Sequence, residues 1–141
     1  MAYGDKKDIG FAGMKADSGV DRVASYAAAG AIPFGRVATA NYAAGTVAIG
    51  GTGTGITVHT HVKPDSYKDK DNVGIMVFGN IWAAIKTGET VTAGSKVKFE
   101  ASTGLIAATG ADLKGAIIVA VETLKGGSKI AQVQLNNPAT L

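Results

Sequence analysis

Glycine divides this sequence into short segments, and that division limits the folds open to it. Twenty of the 141 residues are glycine and three are proline. With no collagen-like period and no long Ser or Gln tract, glycine at this density is typical of many tight turns and bulges. The segments between are rich in Val, Ile and Thr, which is the usual pattern of β-strands. The sequence therefore predicts an all-β fold.

Nine strands are predicted from residue 34 onward, in runs bounded by Gly, Asn or Asp. They cover 34–40, 45–49, 55–63, 73–79, 80–87, 95–100, 105–108, 115–123 and 129–135. Their number and spacing indicate an antiparallel β-sandwich or barrel, jelly-roll-like in outline.

Alternation of apolar and polar residues marks three of these strands as half-buried. KVKF at 96–99 is predicted to bury Val97 and Phe99. In the other two strands one set of side chains points away from the core, namely Thr57, His59 and His61 in 55–63 and Ile130, Gln132 and Gln134 in 129–135. Such strands are typical of antiparallel sheets with one wet face.

Two runs, 73–85 and 115–121, are apolar on both faces. Each is therefore either central in the fold or covered by a partner. Gly79 and Asn80 divide the first run, and the sequence leaves two interpretations open. One is a hairpin turn between two strands, and the other is a single long strand with a glycine bulge.

The first 33 residues lack this regularity, and we predict two parts: an N-terminal arm over 1–33 and a β-domain over 34–141. Gly30 and Pro33 would soon end a helix, so the arm is expected to be extended, with at most one helical turn. We expect the arm to reach a neighbouring subunit or a partner protein.

Composition excludes several functional classes. The formal net charge is +3 and 18% of residues are charged, with acidic and basic residues interspersed, so no stripe follows a nucleic-acid backbone. No apolar stretch approaches a membrane span, and the start lacks the apolar core of a signal peptide. We therefore expect a soluble protein made in the cytoplasm that binds neither nucleic acid nor membrane directly.

Motifs for catalysis or cofactor binding are weak. Cysteine is absent, and His59 and His61 need further ligands, such as Asp65 or Asp69, to hold a metal. GGTGTG at 50–55 lacks the helix that a phosphate loop requires, and reads as a flexible loop or hairpin tip. No G-x-S-x-G nucleophile turn is present. We predict no enzyme activity, no metal and no cofactor.

Function is therefore expected to depend on surfaces. Aromatic residues and arginine are frequent anchors of protein interfaces. For the aromatic candidates the simpler interpretation is that they pack in the core. For the arginine it is that the side chain is solvated at the surface. The five candidate interface residues are Phe34, Arg36, Tyr67, Phe78 and Trp82.

The stretch GMKADSGVDRVASYAAAGAIPFGRVAT at 13–39 resembles the N-terminal signature of phage structural cement proteins. The similarity continues through DSYKDKDNVGIMVFGNIWAAI at 65–85 and VTAGSKVKFEASTGLI at 91–106. Val37 lies one position earlier than the family pattern has it. The matching residues of the first stretch are Gly13, Ala16, Asp17, Val23, Ser25, Tyr26, Ile32, Phe34, Gly35 and Arg36.

The resemblance implies a structural virion protein that decorates the outside of an expanded icosahedral head and bridges major capsid proteins. Its partners would be the major capsid protein and further copies of itself, as a dimer or trimer, and no cofactor is implied. Two alternatives stay open: a phage tail-tube or baseplate β-protein, which could associate through strand edges, and a carbohydrate-binding adhesin module.

Overall fold

The computed structural model describes residues 10–16, 21–60 and 66–136. Within these ranges it contains eleven strands and no helix, and hence no helix able to cross a membrane. The strands are β1 (Arg22–Ala28), β2 (Ile32–Pro33), β3 (Val37–Asn41), β4 (Thr46–Ile49), β5 (Gly55–Thr57), β6 (Ser66–Tyr67), β7 (Asn72–Ala84), β8 (Lys96–Phe99), β9 (Ile106–Ala107), β10 (Ala111–Thr123) and β11 (Lys129–Asn136).

Nine of these strands form one sheet, in the order β1-β4-β3-β5-β7-β11-β10-β8-β9, and β2 pairs with β6 separately. β1 also pairs with β7, which closes a circuit of five strands. At the other end of the sheet, a bridge between Ile85 and Ile106 brings β9 back beside the end of β7. The sheet thus closes on itself twice, and the predicted all-β fold is confirmed as a barrel.

β7 belongs to both circuits, which explains why its sequence is apolar on both faces. Its first half pairs with β1 and β5, and its second half pairs with β11. Gly79 lies between the halves with φ +122°, a backbone conformation that glycine adopts at little cost. The hairpin turn at Gly79 and Asn80 is therefore wrong, and the single long strand is what the structure shows.

Two hydrophobic cores correspond to the two circuits. The smaller core lies in the first circuit and includes Ala28, Ile32, Phe34, Ala38, Val47, Tyr67, Val73 and Ile75. The larger core lies mainly between the strands of the second circuit, and its members include Met76, Ile81, Val97, Phe99, Ile106, Leu113, Ile118, Val133 and Leu135. Together these side chains remove most of the apolar surface of the strands from water.

The predicted alternation is confirmed in β8, where Val97 and Phe99 are fully buried and Lys96 is exposed. In β11, Gln134 points to solvent as expected, but Ile130 is buried although the sequence places it on the wet face. Trp82 pairs with Gln132, which lies two residues from Ile130 on the same face of the sheet. Because Trp82 is also buried, part of this outer face is itself covered.

The predicted strand 55–63 is shorter than expected, since β5 ends at Thr57. The expectation that Thr57 faces solvent is wrong, because the residue is fully buried. Its hydroxyl accepts a hydrogen bond from the backbone N–H of Arg36 (3.0 Å) and donates one to the carbonyl of Pro33 (2.8 Å). These two bonds satisfy the polar group that burial would otherwise penalise. His61 lies outside the described residues.

In its described part, the segment before Phe34 has no helix and contributes β1 and β2 to the two sheets. It also makes a turn at 11–14, where the Met14 N–H donates to the Phe11 carbonyl. β1 lies against β7 in antiparallel register and against β4 in parallel register. The division into an arm over 1–33 and a domain over 34–141 stays a prediction.

The glycine run at 50–55 forms the predicted loop, between β4 and β5, and it lies close to neighbouring backbone. The Gly51 N–H donates to the carbonyl of Ala101, and the Thr54 N–H donates to that of Ala38. A Cβ built on Gly50 would stand 1.9 Å from the Ala101 oxygen. The glycines therefore permit close packing of this loop against its neighbours.

Candidate interaction surface

Two of the five predicted interface residues, Phe34 and Tyr67, lie together in an aromatic cluster. The Phe34 ring contacts Tyr67 and His59 edge-to-face, with centroids 5.2 and 4.9 Å apart, and Phe11 contacts His59 at 4.6 Å. The Tyr67 hydroxyl donates to the carbonyl of Val58 at 2.6 Å. Burial raises the pKa of Tyr67 above its ordinary value. Phe34 and Tyr67 are buried and Phe11 is 42% exposed, so Phe11 is the member that a partner can reach.

Arg36 follows this cluster in the chain and is half-buried. Its guanidinium donates to the carbonyl of Thr103 at 2.8 Å, which fixes the side chain against the loop after β8. Burial lowers the pKa of Arg36 from its ordinary value. Among the described residues, the guanidinium therefore has a backbone carbonyl as its partner.

The other two predicted residues, Trp82 and Phe78, lie on β7. Trp82 is 3% exposed, and its backbone pairs with residues of the N-terminal segment: the Gly13 N–H donates to Trp82 and the Trp82 N–H donates to Met14. Gly10 lies against the indole, where a Cβ would stand 2.7 Å from the ring. Phe78 is half-buried and directly precedes Gly79 in β7. The interface role of all five residues stays a prediction.

Sequence reasoning missed the most exposed aliphatic side chains of the barrel, which lie on β10. Ile117 and Val119 are 42% and 44% exposed, although the run 115–121 is apolar enough for a buried strand. Ile117 pairs with Lys96 on β8 and with Gln134 on β11, and directly opposed residues lie on the same face of a sheet. The apolarity of 115–121 on both faces was the signal, since it implied either a central strand or a partner.

A large bulge in β10 adjoins Ile117. Asp112 pairs with Lys98 and Ile117 with Lys96, so a step of five residues along β10 (117 − 112) faces a step of two along β8 (98 − 96). Gly115 lies in the bulge with φ +71°. The extra residues bend the strand away from β8.

This bulge forms one wall of a groove of 430 Å³. Its lining consists of Lys96, Asp112, Leu113, Lys114, Gly115, Ala116 and Ile117. Leu113 and Ala116 are buried at its base, whereas Lys96 and Lys114 are exposed at its rim. The groove therefore combines an apolar base with charged edges.

The charges at the groove are unequal. Lys98 lies 3.9 Å from the carboxylate of Asp112, which offsets the one acidic residue of the lining. Within the described part of the chain, Lys96 and Lys114 form no ion pair. The rim therefore has an excess of positive charge.

Metal binding finds no support in the described ranges. No group of three or more His, Asp or Glu side chains there is arranged to hold an ion. His59 packs between the rings of Phe11 and Phe34. The second histidine of the predicted pair, His61, lies outside those ranges.

Comparison with known proteins gives one family. The family model described as structural cement protein (E217 gp24/Pam3 gp6) matches residues 1–136. A chain in the structure titled "The capsid of Myoviridae Phage XM1" has a similar fold, with a TM-score of 0.72 and 17% sequence identity over 96% of this chain and 98% of that one. No curated protein matches significantly.

Proposed function

Because this chain belongs to the structural cement protein family of phages, we propose that it bridges major capsid proteins on the outer surface of the expanded head. The family match over residues 1–136 is the observation that supports this proposal. Membership makes the chain a structural protein of the virion that associates with capsid proteins and stabilises the capsid. Bridging, the outer surface and synthesis in the host cytoplasm are the further steps that we propose.

Bridging fits the energetics of a cement protein. A protein that binds the expanded lattice but not its precursor stabilises the expanded state by the free energy of binding. Contacts with two adjacent capsid proteins act together, so modest individual affinities give strong attachment. The doubly closed sheet provides a body that need not rearrange when it binds, which limits the entropic cost of attachment.

We propose further that the protein acts without enzyme chemistry or cofactor, without direct contact with nucleic acid, and as a homodimer or homotrimer. Exposed apolar side chains on a strand, such as Ile117 and Val119 on β10, suit association with protein surfaces. Phe11 beside the aromatic cluster and the β10 groove are separate surfaces, so one can contact a second copy while the other contacts the capsid.

Electron microscopy of the purified protein mixed with empty, expanded and undecorated heads tests the proposal. We expect ordered density on the outer surface at positions where neighbouring capsid proteins meet, and none on unexpanded heads. Density that contacts only a single capsid protein at each position would contradict bridging. Assembly into tubes or stacked rings would instead favour the tail alternative.

A further inference from the structure

We propose that the β10 groove is the capsid contact of this protein, and that it binds an extended, acidic segment of the major capsid protein. This inference rests on the proposed function and adds to it a surface and a partner chemistry. Three properties of the groove lead to it: exposed apolar side chains, an irregular strand and positive charge.

The apolar property comes from Ile117 and Val119. Both are more than two-fifths exposed although they lie well inside a 13-residue strand. Ile117 lines the groove above Leu113 and Ala116, which are buried at its base. Two neighbouring exposed aliphatic side chains beside such a groove fit a binding surface, whereas single exposed apolar residues are ordinary.

The second property is the backbone of the bulge. Among the recorded pairings of the described strands, residues Leu113, Lys114 and Gly115 have no partner on β8 or on β11. The bulge therefore takes this part of β10 out of the regular ladder with β8. An extended segment that lies along an irregular strand can bond to it through its own backbone, which favours a strand-like occupant over a helix.

The third property selects the charge of the occupant. Lys96 and Lys114 stand at the rim without an ion pair among the described residues, while Asp112 is offset by Lys98. Carboxylates on the incoming segment would form ion pairs with these two lysines. In a groove-to-groove contact, a second copy of this chain would bring the same two lysines, and like charges oppose that pairing. The geometry therefore points to an acidic capsid segment.

Charge reversal at the rim tests this inference. The double variant K96E/K114E should bind undecorated expanded heads about tenfold more weakly at 0.15 M salt, because each exposed attraction is modest and reversal turns it into repulsion. The loss should shrink in 1 M salt, where screening acts within about 3 Å. The matched control R22E/K68E makes the same change in net charge at exposed residues away from the groove, and should bind within twofold of wild type.

A photo-crosslinking residue in place of Ile117 identifies the occupant. In decorated heads we expect it to link to an acid-rich stretch of the major capsid protein. The variant Ile117→Ser should weaken binding about fivefold, since it removes apolar area from the contact. Its Tm should fall by only a few degrees, because the side chain is already 42% exposed.

The outcomes separate this inference from the function on which it rests. If wild type fails to bind expanded heads, both are wrong. If wild type binds and K96E/K114E binds equally well, the groove is wrong and capsid binding stands. A crosslink to a second copy of this chain, or to a basic stretch of the capsid protein, would overturn the proposed occupant.

Discussion

Replacing Thr57 with valine tests how the barrel holds the turn between β2 and β3. The change keeps the volume and removes the hydroxyl, which leaves the Arg36 N–H and the Pro33 carbonyl without the bonds that it makes. Thr57 is fully buried, so water cannot replace these bonds. Each unsatisfied group costs about 1–3 kcal/mol, and the carbonyl has a second lone pair, so we expect a total near 3 kcal/mol.

Thermal and urea unfolding measure this loss. For a domain of this size, about 3 kcal/mol lowers Tm by about 10 °C. Thr57→Ser keeps both bonds and removes one methyl group, and should cost about 1 kcal/mol. Thr123→Val is a matched control, because that threonine is exposed on β10 and its hydroxyl is replaced at little cost. If Thr57→Val unfolds within 1 kcal/mol of wild type, the bonds do not have the role assigned to them.

Two further predictions concern stability elsewhere in the barrel. Gly55→Ala should destabilise by about 2–3 kcal/mol, because its Cβ would stand 2.3 Å from the Met76 carbonyl oxygen; Gly126→Ala, at an open position, should change urea stability by less than about 0.5 kcal/mol, and equal effects would contradict the packing. The Glu100 carboxylate accepts a hydrogen bond from Lys86 at 2.5 Å, which holds its pKa below the ordinary value. A carboxylate with a lowered pKa stabilises the fold above its unfolded pKa, and that contribution disappears as pH falls through the folded pKa. The Tm advantage of wild type over Glu100→Gln should therefore shrink from pH 7 to pH 3, and a constant advantage would refute the pair's contribution.

The sequence predicted best those strands that have one face buried and the other face in water. β8 is such a case, since Val97 and Phe99 point into one core and Lys96 points to water. Local pattern is sufficient there because one sheet face is buried and the other is wet. β4 and β11 likewise lie within one residue of their predicted bounds.

β1 was missed because its stability comes from pairing rather than from its own residues. RVASYAA is poor in strong strand formers, and it becomes a strand because β7 and β4 lie on its two sides. Those partners are distant in the chain, so no local signal marks them. Burial of Thr57 was missed for a similar reason, because its hydrogen-bond partners belong to the turn before β3.

The candidate surface could not be predicted from the sequence because it depends on strand register. The sequence shows that 115–121 is apolar on both faces, but which residues emerge depends on the two irregularities that flank Ile117, one against β8 before it and one against β11 at Val119. A shift in pairing changes the face on which a side chain emerges. The neighbouring strands determine such shifts, and the shifts cannot be recognised in a single sequence.

The closure of the sheet explains why attachment should use this surface. Among the described strands, each member of the nine-stranded sheet has a neighbour on both sides for at least part of its length, with β9 bridged back to Ile85. Association through free sheet edges, the route by which a tail protein could stack, is therefore disfavoured. What the barrel leaves open to a partner is the outer face, and there Ile117 is exposed beside the β10 bulge, with Lys96 and Lys114 at the rim of the groove. A protein with this fold avoids general edge-to-edge aggregation, and the proposed capsid contact would lie at this one defined place.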